Sequence, residues 1–159
     1  MKKVYIGKSK IAGRGLFAGE NIRKGDFILP LRGTLIHKEY RRVGKYRNEQ
    51  TWIPVSLHRW IRPISPIRFL NHSCEPNAGF KTPTRLYASR DIAQDQEIVV
   101  DYSTIEYLEF WQSPCNCGSK HCRRIIRAIQ FLKPKTYKSY LPYIPKFLRD
   151  VYEDRHQAV

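Results

Sequence analysis

No apolar run in the sequence approaches the roughly 18 residues that a membrane-spanning helix needs. The start, Met1 to Ile6 followed by Gly7, Lys8, Ser9 and Lys10, also lacks a signal-type apolar core. These absences predict a soluble, intracellular protein with no membrane partner. Internal repeats and low-complexity tracts are missing as well, which excludes solenoid architecture and a structureless linker. Acidic residues are scarce, 14 against 29 Lys and Arg, so the chain carries a net charge of +15. Cysteine is limited to four residues. What remains is a basic chain of 159 residues, long enough to fold as one domain that buries about 70% of its unfolded surface.

The charge is unevenly distributed. Residues 1–50 hold 13 Lys/Arg against 4 Asp/Glu, residues 51–122 hold 7 against 7, and residues 123–159 hold 9 against 3. A neutral centre between basic ends suits a site that receives a cationic peptide, with flanks that meet an anion such as nucleic acid; a merely solvated basic surface is the alternative.

Short runs rich in β-branched and aromatic residues recur between Gly and Pro: Val4 to Ile6, Phe27 to Leu29, Thr34 to Ile36, Trp52 to Val55, Arg85 to Ala88 and Glu97 to Val100. They predict short strands. His37 to Arg47 reads as a surface helix. Ile125, Ile126, Ile129 and Leu132 fall at helical spacing, predicting a helix over 123–132 that Pro134 ends. A last helix is expected to start near Pro145, and the large apolar groups of residues 137–152 predict a tail packed on the domain.

Three groups of residues carry chemistry. Gly13-Arg14-Gly15 allows positive φ and close backbone approach to a ligand, and Arg14 offers a donor fork for a carboxylate; a simple turn is the alternative. Asn71 and His72 follow the apolar pair Phe69-Leu70, a pattern that also suits a capping Asn and a satisfied core histidine. Cys74, Cys115, Cys117 and Cys122 could form two disulfides, but Cys115 and Cys117 would crowd, and a tetrahedral zinc site uses all four thiolates. His121 is a competing ligand.

Arg68, Phe69, Asn71, His72, Ser73, Cys74, Pro76 and Asn77, then Asp101-Tyr102, then the run Cys115, Cys117, Cys122, together resemble the signature of the SET-domain protein lysine methyltransferases with a post-SET zinc segment. The resemblance implies a mainly β chain with short helices, in which small curved sheets surround a knot-like threaded segment and a short helical tail follows. It divides the chain into a SET domain over 1–110, a post-SET segment over 111–126 and a basic, aromatic tail over 127–159 packed on the domain. It implies S-adenosylmethionine held by Gly13, Arg14, Gly15, Leu16, Arg68, Asn71 and His72. Tyr102 is the implied catalytic hydroxyl, with Phe80 and Val100 walling the same substrate channel. Zinc would be held by Cys74, Cys115, Cys117 and Cys122. The implied substrate is a lysine of a basic protein, histone or histone-like, in a nucleus or nucleoid. The rival readings are a ribosomal or DNA-packaging target, and a non-catalytic module that binds chromatin or nucleic acid through its basic ends. Two departures stand out. Arg124 occupies a position where the family commonly has Gly, and Val100 stands where it often has Phe or Tyr, which implies room for di- or trimethyl-lysine. The segment between Tyr40 and Pro66 matches poorly.

Overall fold

The computed structural model describes residues 1–37 and 52–157. The helix expected over 37–47 lies almost entirely outside them. Among the described residues, twelve short strands carry most of the order: β1 (Val4–Lys8), β2 (Arg14–Ala18), β3 (Phe27–Pro30), β4 (Gly33–His37), β5 (Ile53–Ser56), β6 (Arg59–Pro63), β7 (Asn71–His72), β8 (Ala78–Thr82), β9 (Arg85–Ala88), β10 (Glu97–Val100), β11 (Gln112–Pro114) and β12 (Ile125–Arg127). Two helices follow, α1 (Pro134–Tyr140) and α2 (Lys146–Gln157).

The strands form small separate sheets ordered β1-β2-β10-β7, β3-β9-β8, β4-β6-β5 and β11-β12. The first positions the site. β10 pairs antiparallel with β2 and parallel with the two-residue β7, setting Val99 opposite Asn71 and Val100 opposite His72. Ile98, Val99 and Val100 are all buried, as expected of a central strand covered on both faces. Gly15 in β2 is required by this packing, because a Cβ there would fall onto the Glu97 carboxylate.

The main core gathers Leu16, Ile28, Phe80, Leu86, Ile98 and Val100 from several sheets. A second apolar cluster, built from Ile129, Leu132, Tyr137, Ile144, Leu148 and Tyr152, joins the α1–α2 segment. There Tyr137 stacks on Tyr152 at 3.7 Å between ring centroids. The second cluster is tied to the segment after the Tyr102–Ile105 turn by hydrogen bonds from the Ile129 N–H to the Glu106 carbonyl at 2.9 Å and from Gln130 Nε2 to the Tyr107 carbonyl at 3.0 Å.

All six expected strands are present. The helix expected over 123–132 is not. Ile126 is buried while Ile125 is 57% exposed, the alternation of a strand, and β12 pairs with β11. Four apolar positions in ten residues fit either period, and pairing with residues 112–114 decides between them. Pro134 begins α1 instead of ending a helix, since its missing N–H costs nothing in a first turn.

Candidate active site and metal centre

Tyr102 opens a single turn of 3-10 helix, Tyr102–Ile105, directly after β10, with Asp101 as its cap. The phenol donates to the Leu70 carbonyl at 2.8 Å, and the Tyr102 backbone N–H donates to His72 Nδ1 at 3.1 Å. Burial, reinforced by the negative charge of Glu97, pushes the phenol pKa up to about 12.

Two cavities meet at this side chain. One, of about 70 Å³, is walled by Trp52, Ile67, Arg68, Ile105 and Trp111 among others. The other, of about 230 Å³, is lined by Ile11, Ala12, Asn71, His72, Cys115 and their neighbours. Among the described residues, Tyr102 is the one side chain common to both linings.

In the larger cavity Asn71 is fixed by its amide nitrogen, which donates to the Arg14 carbonyl at 3.1 Å and to Glu97 Oε1 at 2.8 Å. Ser9 also donates to Glu97, at 2.9 Å. The Asn71 amide protons are thereby spent on the β2 entry and on β10, leaving its oxygen as an acceptor for a ligand. Gly13 adopts a φ of +47°, in the region where glycine is favoured. Arg14 lays its guanidinium over the Phe69 ring at 4.6 Å. Several predicted residues stand elsewhere. Leu16 is fully buried in the core, and Arg68 lines the smaller cavity. Phe80 and Val100 are also core residues and line neither cavity; the apolar wall of the smaller one includes Trp52, Ile67, Leu70, Ile105 and Trp111. Bulky apolar residues on loops and single 3-10 turns carry no motif, so these walls are not legible in the sequence.

Cys74, from the loop after β7, meets the late cysteines. Its sulfur lies 3.8 Å from that of Cys115, which lies 3.6 Å from that of Cys122. Tetrahedral zinc with bonds of about 2.3 Å separates its sulfurs by about 3.8 Å, so the spacing fits. Cys117 accepts the Cys74 backbone N–H at 3.5 Å. His72 Nε2 joins the sulfurs of Cys74, Cys115 and Cys117 in a group of ligand atoms within 4.8 Å of one another. His121 turns away, pairing with Glu75 at 2.7 Å on the surface. Burial raises the Cys74 and Cys115 thiols. Burial acts the same way on Cys117, but the backbone N–H groups of Cys74 and Ser119 outweigh it and bring that thiol down to about 7. A thiolate able to take a thiophilic cation is therefore accessible near neutral pH.

Behind Tyr102 lies a polar knot that no motif announced. The Asp101 side chain is fully buried and accepts both Arg123 Nη2 contacts, at 2.6 and 2.7 Å, the Ser103 N–H at 3.0 Å and the Tyr140 hydroxyl at 2.9 Å. The same hydroxyl lies 3.2 Å from the Cys74 carbonyl. Helix α1 thus reaches both the residue before Tyr102 and a cluster cysteine.

The SET domain family matches residues 13–103. Among curated relatives, the H3 lysine-4 specific histone-lysine N-methyltransferase of Schizosaccharomyces pombe is 32% identical over 142 residues, covering 77% of this chain and 15% of that protein. Histone-lysine N-methyltransferase trithorax of Drosophila virilis is 30% identical over 146 residues, covering 78% of this chain and 4% of that protein. The chain therefore spans a small fraction of the relatives it matches. Among solved structures, the methyltransferase domain of human histone-lysine N-methyltransferase SETMAR superposes with a TM-score of 0.63 at 25% identity, covering 80% of this chain and 59% of that one. A chain of ctPRC2 in an autoinhibited conformation bound to S-adenosylmethionine gives 0.56 at 25% identity, covering 65% of this chain and 15% of that one. With a family match that covers more than half its length and ends at the turn carrying Tyr102, this chain belongs to the SET domain family.

Proposed function

We propose that the chain is an S-adenosylmethionine-dependent protein-lysine N-methyltransferase acting on a basic, histone or histone-like protein. The observation that carries this reading is the placement of Tyr102 between two cavities, one suited to a narrow apolar side chain and the other to a larger polar ligand. When bound, S-adenosylmethionine supplies a sulfonium methyl group that an amine nitrogen can take in line. The chain's own residues prepare that encounter. The oxygen of Asn71 and the backbone beside Gly13 suit the amino acid half of the cofactor. Trp52, Ile105 and Trp111 strip water from the entering lysine, which disfavours its ammonium form and releases the proton to solvent. With its own proton given to Leu70, the Tyr102 oxygen can only accept, so it holds an amine N–H and leaves the nitrogen lone pair facing the methyl donor. Zinc would be held by the cysteine cluster and would close the segment after residue 111 over the larger cavity. We divide the chain accordingly into a SET unit (1–110), a metal segment (111–126) and a supporting tail (127–159).

The names of the relatives support a histone lysine as target and a nuclear or nucleoid setting. Phe110, next in the chain to Trp111, is 96% exposed and offers an apolar surface to an incoming peptide. The basic ends support contact with nucleic acid around the substrate.

The test is incubation of the zinc-loaded chain with isotopically labelled S-adenosylmethionine and a panel of histones, histone-like proteins and ribosomal proteins, followed by mass spectrometry. Labelled methyl groups on lysine side chains are expected, and the spectrum reads target and methyl number together. No label on any protein, with zinc and cofactor bound and nucleic-acid binding falling steeply with salt, would instead make this a non-catalytic module.

A further inference from the structure

His72 contacts the metal cluster and the reactive tyrosine at once, through opposite nitrogens of one ring. The Tyr102 backbone N–H can only donate, and it points at Nδ1 at 3.1 Å. Nδ1 must therefore be the unprotonated nitrogen, because a proton there would face another donor. The carboxylate that could compete for such a proton is Asp101, with Oδ1 3.6 Å from Nδ1. Arg123, Ser103 and Tyr140 already occupy it. The ring proton then resides on Nε2, 3.3 Å from the sulfur of Cys74.

This tautomer overrides what proximity alone suggests: a His72 nitrogen and the sulfurs of Cys74, Cys115 and Cys117 form a group of four within 4.8 Å, and Cys122 is not among them although its sulfur lies 3.6 Å from that of Cys115. A cation bonded to Nε2 needs that nitrogen's lone pair, which would move the proton to Nδ1 and set it against the Tyr102 N–H. The geometry points to His72 as a positioning residue outside the metal's ligand set: Nε2–H donates to the Cys74 thiolate while Nδ1 accepts from the Tyr102 backbone. Cys122, 3.6 Å from Cys115, completes the ligands. The Arg123 backbone N–H and Nε also lie 3.4 Å from the Cys74 sulfur. Three N–H groups thus converge on one thiolate, and its charge is the best compensated in the cluster. The consequence is mechanical. A filled metal centre holds the imidazole, and the imidazole holds the start of the turn that carries Tyr102.

The inference rests on a thiophilic cation bound by cysteines, not on methyl transfer, and its test reads no turnover. In zinc-loaded full chain labelled with ring ¹⁵N-histidine, long-range proton–nitrogen correlation is expected to find His72 protonated on Nε2, with Nδ1 as a hydrogen-bonded acceptor. A His72 protonated on Nδ1, with a metal-shifted Nε2, would overturn it. In cobalt-substituted protein the charge-transfer bands should report four thiolates in both the wild type and His72→Phe. They should lie at longer wavelength in the variant, which should also release metal about 10-fold faster, in line with lost outer-shell hydrogen bonds. His72→Gln, which keeps an amide N–H, should recover part of that loss. A three-thiolate wild-type spectrum, or an unchanged release rate in His72→Phe, refutes the assignment. If His72→Phe does not fold, the wild-type tautomer alone decides.

Discussion

Replacing Tyr102 by Phe deletes one oxygen atom and leaves the ring, so its effects separate chemistry from packing. The lost hydroxyl donates to the Leu70 carbonyl at 2.8 Å, and Leu70 is 6% exposed. Leaving a buried acceptor without its donor costs about 1–2 kcal/mol, a fall in Tm of roughly 2–8 °C for a chain of this size. The effect on turnover should be larger. Removing one prearranged polar group that acts on the reacting atoms costs about 10²–10³ in kcat, roughly 2.7–4 kcal/mol. The larger cavity loses no ring atoms, so cofactor affinity should stay within about threefold, a difference under about 1 kcal/mol. The assay is incorporation of labelled methyl groups with kcat and KM determined separately, alongside metal content, cofactor titration and thermal unfolding. A kcat within threefold of wild type in a folded, zinc-loaded variant would refute the placement of Tyr102 at the transferring methyl group. So would a loss confined to the KM for cofactor.

Four further outcomes follow from the same geometry. Asp101→Asn removes the counter-charge of Arg123, whose side chain is 27% exposed; a cost of about 3 kcal/mol is expected in denaturant melts, and a change under about 0.5 kcal/mol would show that the pair carries no weight. Tyr140→Phe should lower kcat and speed metal release several-fold, while Tyr137→Phe, whose hydroxyl donates to Glu153 at 3.0 Å, should do neither; parallel losses in both variants would reduce Tyr140 to a packing residue. Arg124 has a φ of +64°, so Arg124→Gly should raise stability by about 0.5–1 kcal/mol, and a destabilised variant would contradict that backbone angle. Finally, because the Tyr102 phenol is held up at about 12 by burial and Glu97, its contribution to stability is complete below the unfolded value of about 10 and is lost as pH rises through the folded one. Methylation rates should rise from pH 7 toward 10 as the substrate lysine deprotonates, and a decline within that window while the fold persists would exclude a protonated Tyr102 as the working form.

The sites that could be read from sequence are those whose chemistry demands particular residue types. Zinc favours thiolates, so Cys74 could be joined to Cys115, Cys117 and Cys122 across 40 to 47 intervening positions of unrelated chain. Asn71, His72 and Tyr102 stood out for the same reason. Strands such as Arg85–Ala88 and Glu97–Val100 matched their expected bounds because β-branched runs between turn residues leave little choice. The 123–132 segment is not legible in the same way, because its four apolar residues satisfy both periods and only the partner strand β11 removes the ambiguity.

The sequence by itself determined the donors: four sulfurs, a tyrosine hydroxyl, an asparagine and a net charge of +15. It also determined the family those residues mark. Tertiary structure alone decided which side chains wall the cavities, that Phe80 and Val100 belong to the core, that Arg123 and Tyr140 converge on Asp101, and which nitrogen of His72 faces which partner. The physical reason is that a residue's capacity to donate, ligate or carry charge is a property of its own atoms. Its burial and its partner are properties of segments far apart in the chain, set when β10 slots between β2 and β7 and the C-terminal helices close behind it.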